Sequence, residues 1–336
     1  MHALVTGIYG AFYRVQLTDS VDEKTVSKTL LAKMRGKLRI EYARQNQNST
    51  FNRFTRPDNP LAIGDIVELK KLDNEKDEIE AIIVNVIERK NLFCRGSVRR
   101  LQLLGANLSG IIIIQSLDFP LFNEGLLNRV LVEAQLSGIE PVIVLNKSDY
   151  YKPDSPKKVA YDAIIGKINY LESFGYNVYR ETFVNKISKK LIDLCSSGRH
   201  IVFGESGVGK STFVNRLIGE KVQKTREIGA SQRGKHTTVN PVLFETLKGG
   251  QIIDVPGVRE FGLMHHEPAS IARGFREFQD LQCKFDNCLH HREPDCGVKE
   301  KLQQGEISVS RYDDYIKILS SIHEHHKPRR GDLRQF

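Results

Sequence analysis

The sequence HIVFGESGVGKST, residues 200–212, decides the fold of the central part of the chain. A strand-like apolar stretch leads into a glycine-rich loop of the pattern GxxxxGK[ST], and the helix-like sequence FVNRLIG follows it. In such a loop, glycines let backbone N–H groups surround phosphate oxygens, the lysine reaches the β- and γ-phosphates, and the serine hydroxyl ligates Mg²⁺. A chance glycine loop is the alternative, which the strand before the motif and the helix after it disfavour. The residues expected to contact a nucleotide are Gly204, Glu205, Ser206, Gly207, Val208, Gly209, Lys210, Ser211 and Thr212.

Two segments downstream of this loop are typical of the same kind of site. The sequence DVPG, which closes a strand-like stretch, places Asp254 to hold Mg²⁺ directly or through water and the N–H of Gly257 to sense the γ-phosphate. Between DVPG and the loop lies GKHTTV, in which Thr238 is predicted to complete the magnesium shell only when the γ-phosphate is present. Thr237 is a close second choice, and an ordinary surface loop is the other interpretation of both threonines.

Upstream of the loop, the sequence PVIVLNKSD at residues 141–149 contains the pattern NKxD directly after a strand-like run. The carboxylate of Asp149 can accept hydrogen bonds from N1 and the 2-amino group of guanine. The stem of Lys147 can lie across the ring, and Asn146 can tie this loop to the phosphate loop and the base. Adenine has no donors at those positions and would leave the acid unpaired, so the sequence predicts GTP and GDP as ligands in preference to ATP.

The two motifs occur in an unusual order, because most chains that carry both elements have the phosphate loop first. If both strands belong to one sheet, joining the old chain ends and cutting the chain elsewhere leaves the site intact. The sequence is therefore interpreted as a circular permutation.

The chain has 336 residues, which favours two or three compact units. Short strands with glycine turns come first, buried strands alternating with helices follow, and a cysteine and histidine cluster comes last. We predict an N-terminal β-barrel of the oligonucleotide-binding (OB) fold over residues 1–95, a circularly permuted, doubly wound α/β GTPase domain over residues 100–266, and a zinc-binding helical domain with a basic tail over residues 267–336. The expected barrel strands are 4–8, 12–17, 30–40, 65–71 and 80–88.

Lysine and arginine number 50 against 41 acidic residues, a formal net charge of +9. A polyanionic partner fits this excess, although such a charge also serves solubility. No window is apolar over the length needed to span a bilayer, and the first residues lack the pattern of an export signal. The expectation is a cytoplasmic protein without a membrane partner.

Basic residues fall on alternate positions of the sequence AKMRGKLRI. On a strand, this spacing makes one cationic face and one core face. We predict that the cationic face binds the phosphate backbone of RNA, with an ordinary solvated face as the alternative. The residues concerned are Lys33, Arg35, Lys37 and Arg39.

Four candidate metal ligands lie within fourteen residues, with the spacing Cx4CxHx5C. Three thiolates and an imidazole satisfy tetrahedral zinc and leave no open position, so one structural zinc ion is predicted. Free buried thiols are the alternative interpretation, and His291 is the alternative ligand. The predicted ligands are Cys283, Cys288, His290 and Cys296.

After a strand-rich basic part, the chain carries these segments in order: NKSD, GESGVGKST, GKHTT, DVPGVREFGL and CKFDNCLHHREPDCGVKEKLQQGEISVSRYDDYIKIL. This order resembles the small ribosomal subunit biogenesis GTPase family (RsgA, also called YjeQ). The resemblance covers nearly the whole chain and is most specific from Gly204 to Leu319. It implies a GTPase that binds the small (30S) ribosomal subunit and its 16S rRNA and acts late in subunit maturation. It also implies that subunit-stimulated GTP hydrolysis releases the protein. We expect the chain to act as a monomer.

The residue that orients the attacking water is not obvious, because Val258 stands where many GTPases carry a glutamine. His236, beside the switch threonines, is the predicted replacement and is favoured by the family resemblance; it joins Lys210 and Thr238 in the predicted catalytic set. A surface histidine in a loop is the alternative. The family's second guanine-contacting loop should fall near 180–182, where the sequence YRET fits it poorly.

Two other functions stay open. One is a nucleotide-regulated RNA-binding module with little turnover. The other is a GTPase for a task such as metal delivery, in which the cluster handles cargo; the basic strand face disfavours it.

Overall fold

The structure, a computed structural model, describes residues 1–18, 28–38, 41, 56–57, 59–72, 79–97, 100–219, 241–258 and 260–326. The strands near the N-terminus are β1 (His2–Tyr9), β2 (Phe12–Leu17), β3 (Thr29–Met34), the two-residue β4 (Arg56–Pro57), β5 (Ile66–Lys71) and β6 (Ala81–Val86). All but β4 close into a barrel in the order β1-β2-β3-β6-β5. The predicted five-stranded barrel is therefore confirmed.

The barrel interior is filled by alternate residues of β2 and β3 and by the continuously buried residues 3–7 of β1. Val5 and Val15 lie opposite each other in the antiparallel pair β1 and β2, and both are fully buried. Gly10 connects these strands with φ of +63°, a left-handed conformation that glycine adopts without strain. Period-two burial of this kind fixes the register, since a shift of one residue would expose the whole apolar set.

The predicted cationic strand over residues 30–40 is wrong beyond Met34. Strand β3 pairs with β6 only as far as Met34, and residues 36–38 are helical instead. Lys33, Arg35 and Lys37 are exposed, but only Lys33 lies on the strand. The pairing of β3 with β6 ends at Ile83 although β6 continues to Val86, so the chain leaves the sheet while its alternating sequence continues. Arg39 lies outside the described residues.

A small sheet that the sequence did not predict follows the barrel. Strands β7 (Leu92–Gly96) and β8 (Arg100–Ala106) pair antiparallel, and β4 joins β8 at the edge. The backbone N–H of Gly96 donates to the carbonyl of Gly262 at 2.9 Å. This hairpin therefore contacts the segment that follows DVPG.

Among the described residues, the central sheet has six strands. They are β9 (Gly110–Ser116), β10 (Pro141–Asn146), β11 (Asn177–Arg180), β12 (Arg199–Phe203), β13 (Val242–Glu245) and β14 (Gln251–Asp254), in the order β11-β10-β9-β12-β14-β13. Every neighbouring pair is parallel except β13 with β14. The intervening helices are α1 (Glu124–Leu136), α2 (Lys158–Ser173), α3 (Lys189–Leu194) and α4 (Lys210–Ile218).

Helices cover both faces of this sheet, as predicted for a doubly wound fold. In β9, Ile111 and Ile113 share a core with apolar residues of α1 and α2. The alternate residues Ile112 and Ile114 share the opposite core with residues of α3 and α4. A strand buried on both faces has no polar side, which explains its continuous apolar run.

The C-terminal part packs on α1. Two short 3₁₀ segments, Pro268–Gly274 and Arg276–Phe278, precede α5 (Gly297–Gln303) and α6 (Val309–His326). The side-chain amide of Asn128 donates to Asp314 at 2.5 Å, and Arg311 bonds both Asn128 and Glu277. All four side chains are buried, so α1 and α6 are joined by a polar network as well as by apolar packing. No helix in the described ranges has both the length and the apolar character required to cross a bilayer.

Candidate nucleotide site and metal centre

The predicted nucleotide motifs meet at one edge of the central sheet. Parallel pairing places Asn146 beside Ser116 and Val202 beside Asp254, so the carboxyl ends of β9, β10, β12 and β14 lie together. The phosphate loop starts directly after β12, at Gly204. Ligands of open parallel sheets bind at this edge, which is where the sequence placed the site.

Glycines are required in the phosphate loop by its conformation and by close contacts. Gly207 and Gly209 have φ of +87° and +107°, which side chains rarely adopt. A Cβ atom on Gly209 would lie 2.3 Å from the amide nitrogen of Asn146, and one on Gly204 would lie 2.5 Å from the carbonyl oxygen of Ile114. The loop therefore packs against the ends of β9 and β10 without room for side chains.

Lys210 begins α4 and bends back over the loop. Its Nζ donates to the carbonyls of Gly204 and Glu205, both at 2.7 Å. Burial lowers the pKa of the ammonium, and the carboxylates of Asp254 and Glu205 offset part of that effect. The ammonium group is buried within the loop, and phosphate oxygens could replace the two carbonyls as its acceptors.

The DVPG loop lies against the phosphate loop. A Cβ atom on Gly257 would lie 2.9 Å from the backbone nitrogen of Ser206 and 3.2 Å from Nζ of Lys210. Val258 is buried, with 7% of its surface exposed, and its side chain has no group that could hydrogen-bond to water. His236, Thr237 and Thr238 lie outside the described residues.

The NKSD loop is attached to the phosphate loop by two side chains. The amide of Asn146 donates to the carbonyl of Val208 at 2.8 Å and accepts from the backbone N–H of Phe183 at 3.0 Å. Lys147 has φ of +62°, and its Nζ donates to the carbonyls of Gly207, at 3.0 Å, and Phe119. The link between Asn146 and the phosphate loop agrees with the predicted role.

Asp149 lies at the surface beside the loop after β11. The hydroxyl of Thr182 donates to its carboxylate at 3.3 Å, and the N–H of Ser148 donates to the carbonyl of Glu181 at 3.0 Å. The segment expected to supply the second guanine-contacting loop is thus next to the NKSD loop, despite its poor fit to the family pattern. Its contact to Asp149 comes from a threonine side chain.

Asn123 is a residue of this site that the sequence analysis missed. Its side-chain oxygen accepts from the N–H of Leu126 at 2.9 Å, which caps α1. Its side-chain nitrogen donates to the carboxylate of Glu205 in the phosphate loop at 2.7 Å. An asparagine before a helix start is a recognisable cap signal, but the contact to Glu205 depends on tertiary structure.

The four predicted metal ligands converge. Sγ of Cys283 lies 3.9 Å from Sγ of Cys296, and Nδ1 of His290 lies 3.5 and 3.4 Å from these two sulfurs. Ligand atoms of a tetrahedral zinc site are separated by about 3.5 to 3.8 Å, given Zn–S near 2.3 Å and Zn–N near 2.0 Å. Sγ of Cys288 belongs to the same group, in which all four ligand atoms lie within 4.8 Å of one another. These residues fit zinc.

The chemistry around the cluster agrees with that geometry. Burial raises the pKa of the Cys288 thiol to about 12 and also raises that of Cys296, so a cation is needed to hold them as thiolates. The hydroxyl of Tyr312 donates to the carbonyl of His290 at 2.6 Å and fixes that backbone. His291 is exposed, and the structure therefore places His290 in the cluster.

A second group of possible ligands, also not predicted, has different geometry. Nε2 of His265 and Nε2 of His266 lie 3.0 and 2.6 Å from one carboxylate oxygen of Glu133. Nitrogen and oxygen ligands of tetrahedral zinc would be about 3.3 Å apart, so these distances indicate hydrogen bonds. Burial would raise the pKa of Glu133, but the two imidazoles outweigh it and hold that pKa well below its usual range. The group ties the segment after DVPG to α1.

Comparison with known proteins agrees with the site. Residues 86–264 match the family model described as RsgA GTPase. The small ribosomal subunit biogenesis GTPase RsgA of Flavobacterium johnsoniae is 32% identical over 311 residues, which cover 88% of this chain and 87% of that protein. The protein of the same name from Nitrosospira multiformis is 32% identical over 324 residues, covering 96% and 92%.

Two solved structures have a similar fold. YjeQ from Thermotoga maritima has a TM-score of 0.64 at 27% identity and covers 96% of this chain and 98% of its own. YloQ, described as a circularly permuted GTPase, has a TM-score of 0.64 at 24% identity and covers 98% and 96%. The NKSD loop follows β10 and the phosphate loop follows the later strand β12 of the same sheet, so the predicted circular permutation is confirmed. With the family match over residues 86–264 and these relatives, the chain belongs to the RsgA GTPase family, whose members hydrolyse GTP.

Proposed function

We propose that this GTPase binds the small (30S) ribosomal subunit and its 16S rRNA, acts in late maturation of the subunit, and leaves when the subunit stimulates GTP hydrolysis. Support comes from the relatives in Flavobacterium johnsoniae and Nitrosospira multiformis, which are named for small ribosomal subunit biogenesis. The observation that carries the GTP-dependent part is the bond from Asn146 to Val208, which joins the base-selecting loop to the phosphate loop. The protein acts as a monomer in the cytoplasm.

In the proposed site, Asp149 accepts hydrogen bonds from guanine, and the stem of Lys147 lies against the ring. Lys210 transfers its two hydrogen bonds from loop carbonyls to the β- and γ-phosphates. Ser211, Asp254 and Thr238 would hold Mg²⁺, which would supply positive charge to the phosphate oxygens. The N–H of Gly257 senses the γ-phosphate, because this glycine already contacts the phosphate loop.

The remaining proposed roles lie outside the nucleotide site. The cluster of Cys283, Cys288, His290 and Cys296 holds one structural zinc ion. Lys33, Arg35, Lys37 and Arg39 contact RNA phosphates, and the exposure of the first three, which lie in the described residues, supports this role. The proposed units are residues 1–95, 100–266 and 267–336.

Purified small subunits are expected to accelerate GTP hydrolysis by this protein by at least about tenfold. The physical reason is that the intrinsic site has Val258 where a water-orienting side chain would stand, so the slow step is open to stimulation by a partner. Steady-state phosphate release with and without small subunits measures the effect, and large subunits serve as the control. Binding to small subunits with no acceleration would favour a nucleotide-regulated RNA-binding module instead.

Replacement of His236 by alanine is expected to lower subunit-stimulated hydrolysis by about 100-fold, since it would remove the proposed hydrogen bond to the attacking water. Affinity for GDP, measured by calorimetry, should stay within about twofold. Single-turnover hydrolysis at saturating GTP separates the chemical step from nucleotide binding. A rate equal to that of the unmodified protein would remove His236 from the mechanism.

A further inference from the structure

A basic cleft lies beside the nucleotide site, on the side of the β7–β8 hairpin. It has a volume of about 790 Å³, and three arginines line it: Arg95 and Arg100 from the hairpin, and Arg129 from α1. Among the described lining residues, Glu260 is the single acid. We call this feature the arginine cleft, and its net charge is positive.

The guanidinium groups have little compensation from the protein. Within the described ranges, no ion pair involves Arg95, Arg100 or Arg129. Nε of Arg95 donates to the side chain of Gln102 at 2.8 Å, which leaves its terminal nitrogens available. Burial lowers the pKa of Arg95 and of Arg129, with only a partial offset for Arg129 from Asp314. Two partly desolvated cations that face one cleft favour an anionic ligand.

The polar lining also suits an anion. The amino-terminal end of α1 opens onto the cleft at Asn123 and Gly125, and helix N-termini favour negative charge. Phe261, the aromatic residue among the described lining residues, is 3% exposed and offers no ring for base stacking. Guanidinium groups match phosphate oxygens in fork geometry. The cleft is large compared with one phosphate, so these features fit a phosphodiester backbone.

We propose that the arginine cleft binds the sugar-phosphate backbone of RNA in the small ribosomal subunit. This proposal rests on the proposed function, and it adds a contact site that is separate from the exposed basic residues of the barrel. Backbone contacts of this kind position a protein without reading base sequence.

The location links RNA contact to hydrolysis. One wall is formed by residues 260–264, which begin three residues after Gly257 of the DVPG loop. Another wall contains Asn123, whose side chain holds Glu205 of the phosphate loop at 2.7 Å. RNA in the cleft therefore contacts the two elements that flank the expected γ-phosphate position, and this gives subunit binding a direct route to the site.

The test compares salt dependence of binding to purified small subunits. Arg100 is exposed at the start of β8, so R100A should fold normally, and thermal melting checks this. We expect R100A to weaken binding by about three- to tenfold at low salt and to reduce the slope of log affinity against log salt by about 1. The variant R129Q should act in the same direction. The matched control is K190A, which removes an exposed charge from α3 on the opposite face of the sheet.

Each outcome is decisive. If R100A loses affinity and shows a smaller salt slope while K190A does neither, the result supports RNA binding in the arginine cleft. Loss of affinity with an unchanged slope would mean that the partner surface is protein, and equal binding by R100A, R129Q and K190A would also overturn the proposal. Failure of the unmodified protein to bind small subunits would refute the proposed function itself, which is a separate result.

Discussion

Removal of zinc is expected to unfold the region that contains Cys283–Cys296 while leaving the central sheet folded. The variant C283S should bind less than about 0.1 equivalents of zinc, against one equivalent for the unmodified chain. Zinc binding contributes about 10 to 16 kcal/mol in small zinc-finger peptides, far more than a short loop region gains from its own packing. Between residues 279 and 295 the structure has no helix and few buried side chains, so little else holds this segment. Metal analysis and hydrogen exchange measure the two effects.

The two adjacent histidines provide a matched pair for this experiment. H290A should lose zinc, because Nδ1 of His290 is within 3.5 Å of two cluster sulfurs. H291A should retain zinc, since His291 is exposed, its backbone N–H donates to Glu293 at 3.0 Å, and its ring lies outside the ligand cluster. The reverse result, or full protection of the segment in C283S, would contradict a structural zinc site.

The parts of the fold that the sequence predicted are those with local signals. The apolar run of β9 indicated a strand covered on both faces because each of its residues is buried. The NKSD and phosphate-loop motifs each follow a strand directly, so strand pairing alone brings them to one edge. The cysteine and histidine spacing is also a local signal, because all four ligands of the predicted metal cluster lie within one short segment.

What the sequence could not predict depends on distant partners. Strand β3 ends at Met34 and a helical turn follows at residues 36–38, although the alternating pattern of the sequence continues. The hydrogen bonds of Glu133 to His265 and His266 join residues more than 130 positions apart. Glutamate within an amphipathic helix is ordinarily a solvated residue, so no local feature marks its burial.

Helix α1 connects three parts of the molecule through such distant contacts. Asn123 at its start holds Glu205 of the phosphate loop, Asn128 bonds Asp314 of α6, and Glu133 near its end holds the segment after DVPG. A rigid helix with polar contacts at both ends and at its middle links the phosphate site to the C-terminal part. The chain itself leads from DVPG into the C-terminal part, and the contacts of α1 provide a second connection between the phosphate loop and that part.

Replacement of Asp149 by asparagine is expected to weaken GTP and GDP binding by about 100-fold or more, which is about 2.8 kcal/mol. An asparagine amide has one acceptor and one donor group, so it cannot accept from both N1 and the 2-amino group of guanine. Xanthine carries a carbonyl in place of that amino group, and D149N should therefore bind xanthosine triphosphate more tightly than GTP. Calorimetry with GDP, GTP, ATP and xanthosine triphosphate measures the change.

The control for this prediction is D154N, which removes a nearby exposed carboxylate and should bind GDP as the unmodified protein does. Retained hydrolysis of xanthosine triphosphate by D149N would show that the phosphate loop is intact and that only base selection has changed. The expected reversal depends on Asn146, whose bonds to Val208 and Phe183 attach the NKSD loop to the phosphate loop. Equal affinity of the unmodified protein for ATP and GTP, or unaltered GDP binding by D149N, would contradict guanine recognition by this carboxylate.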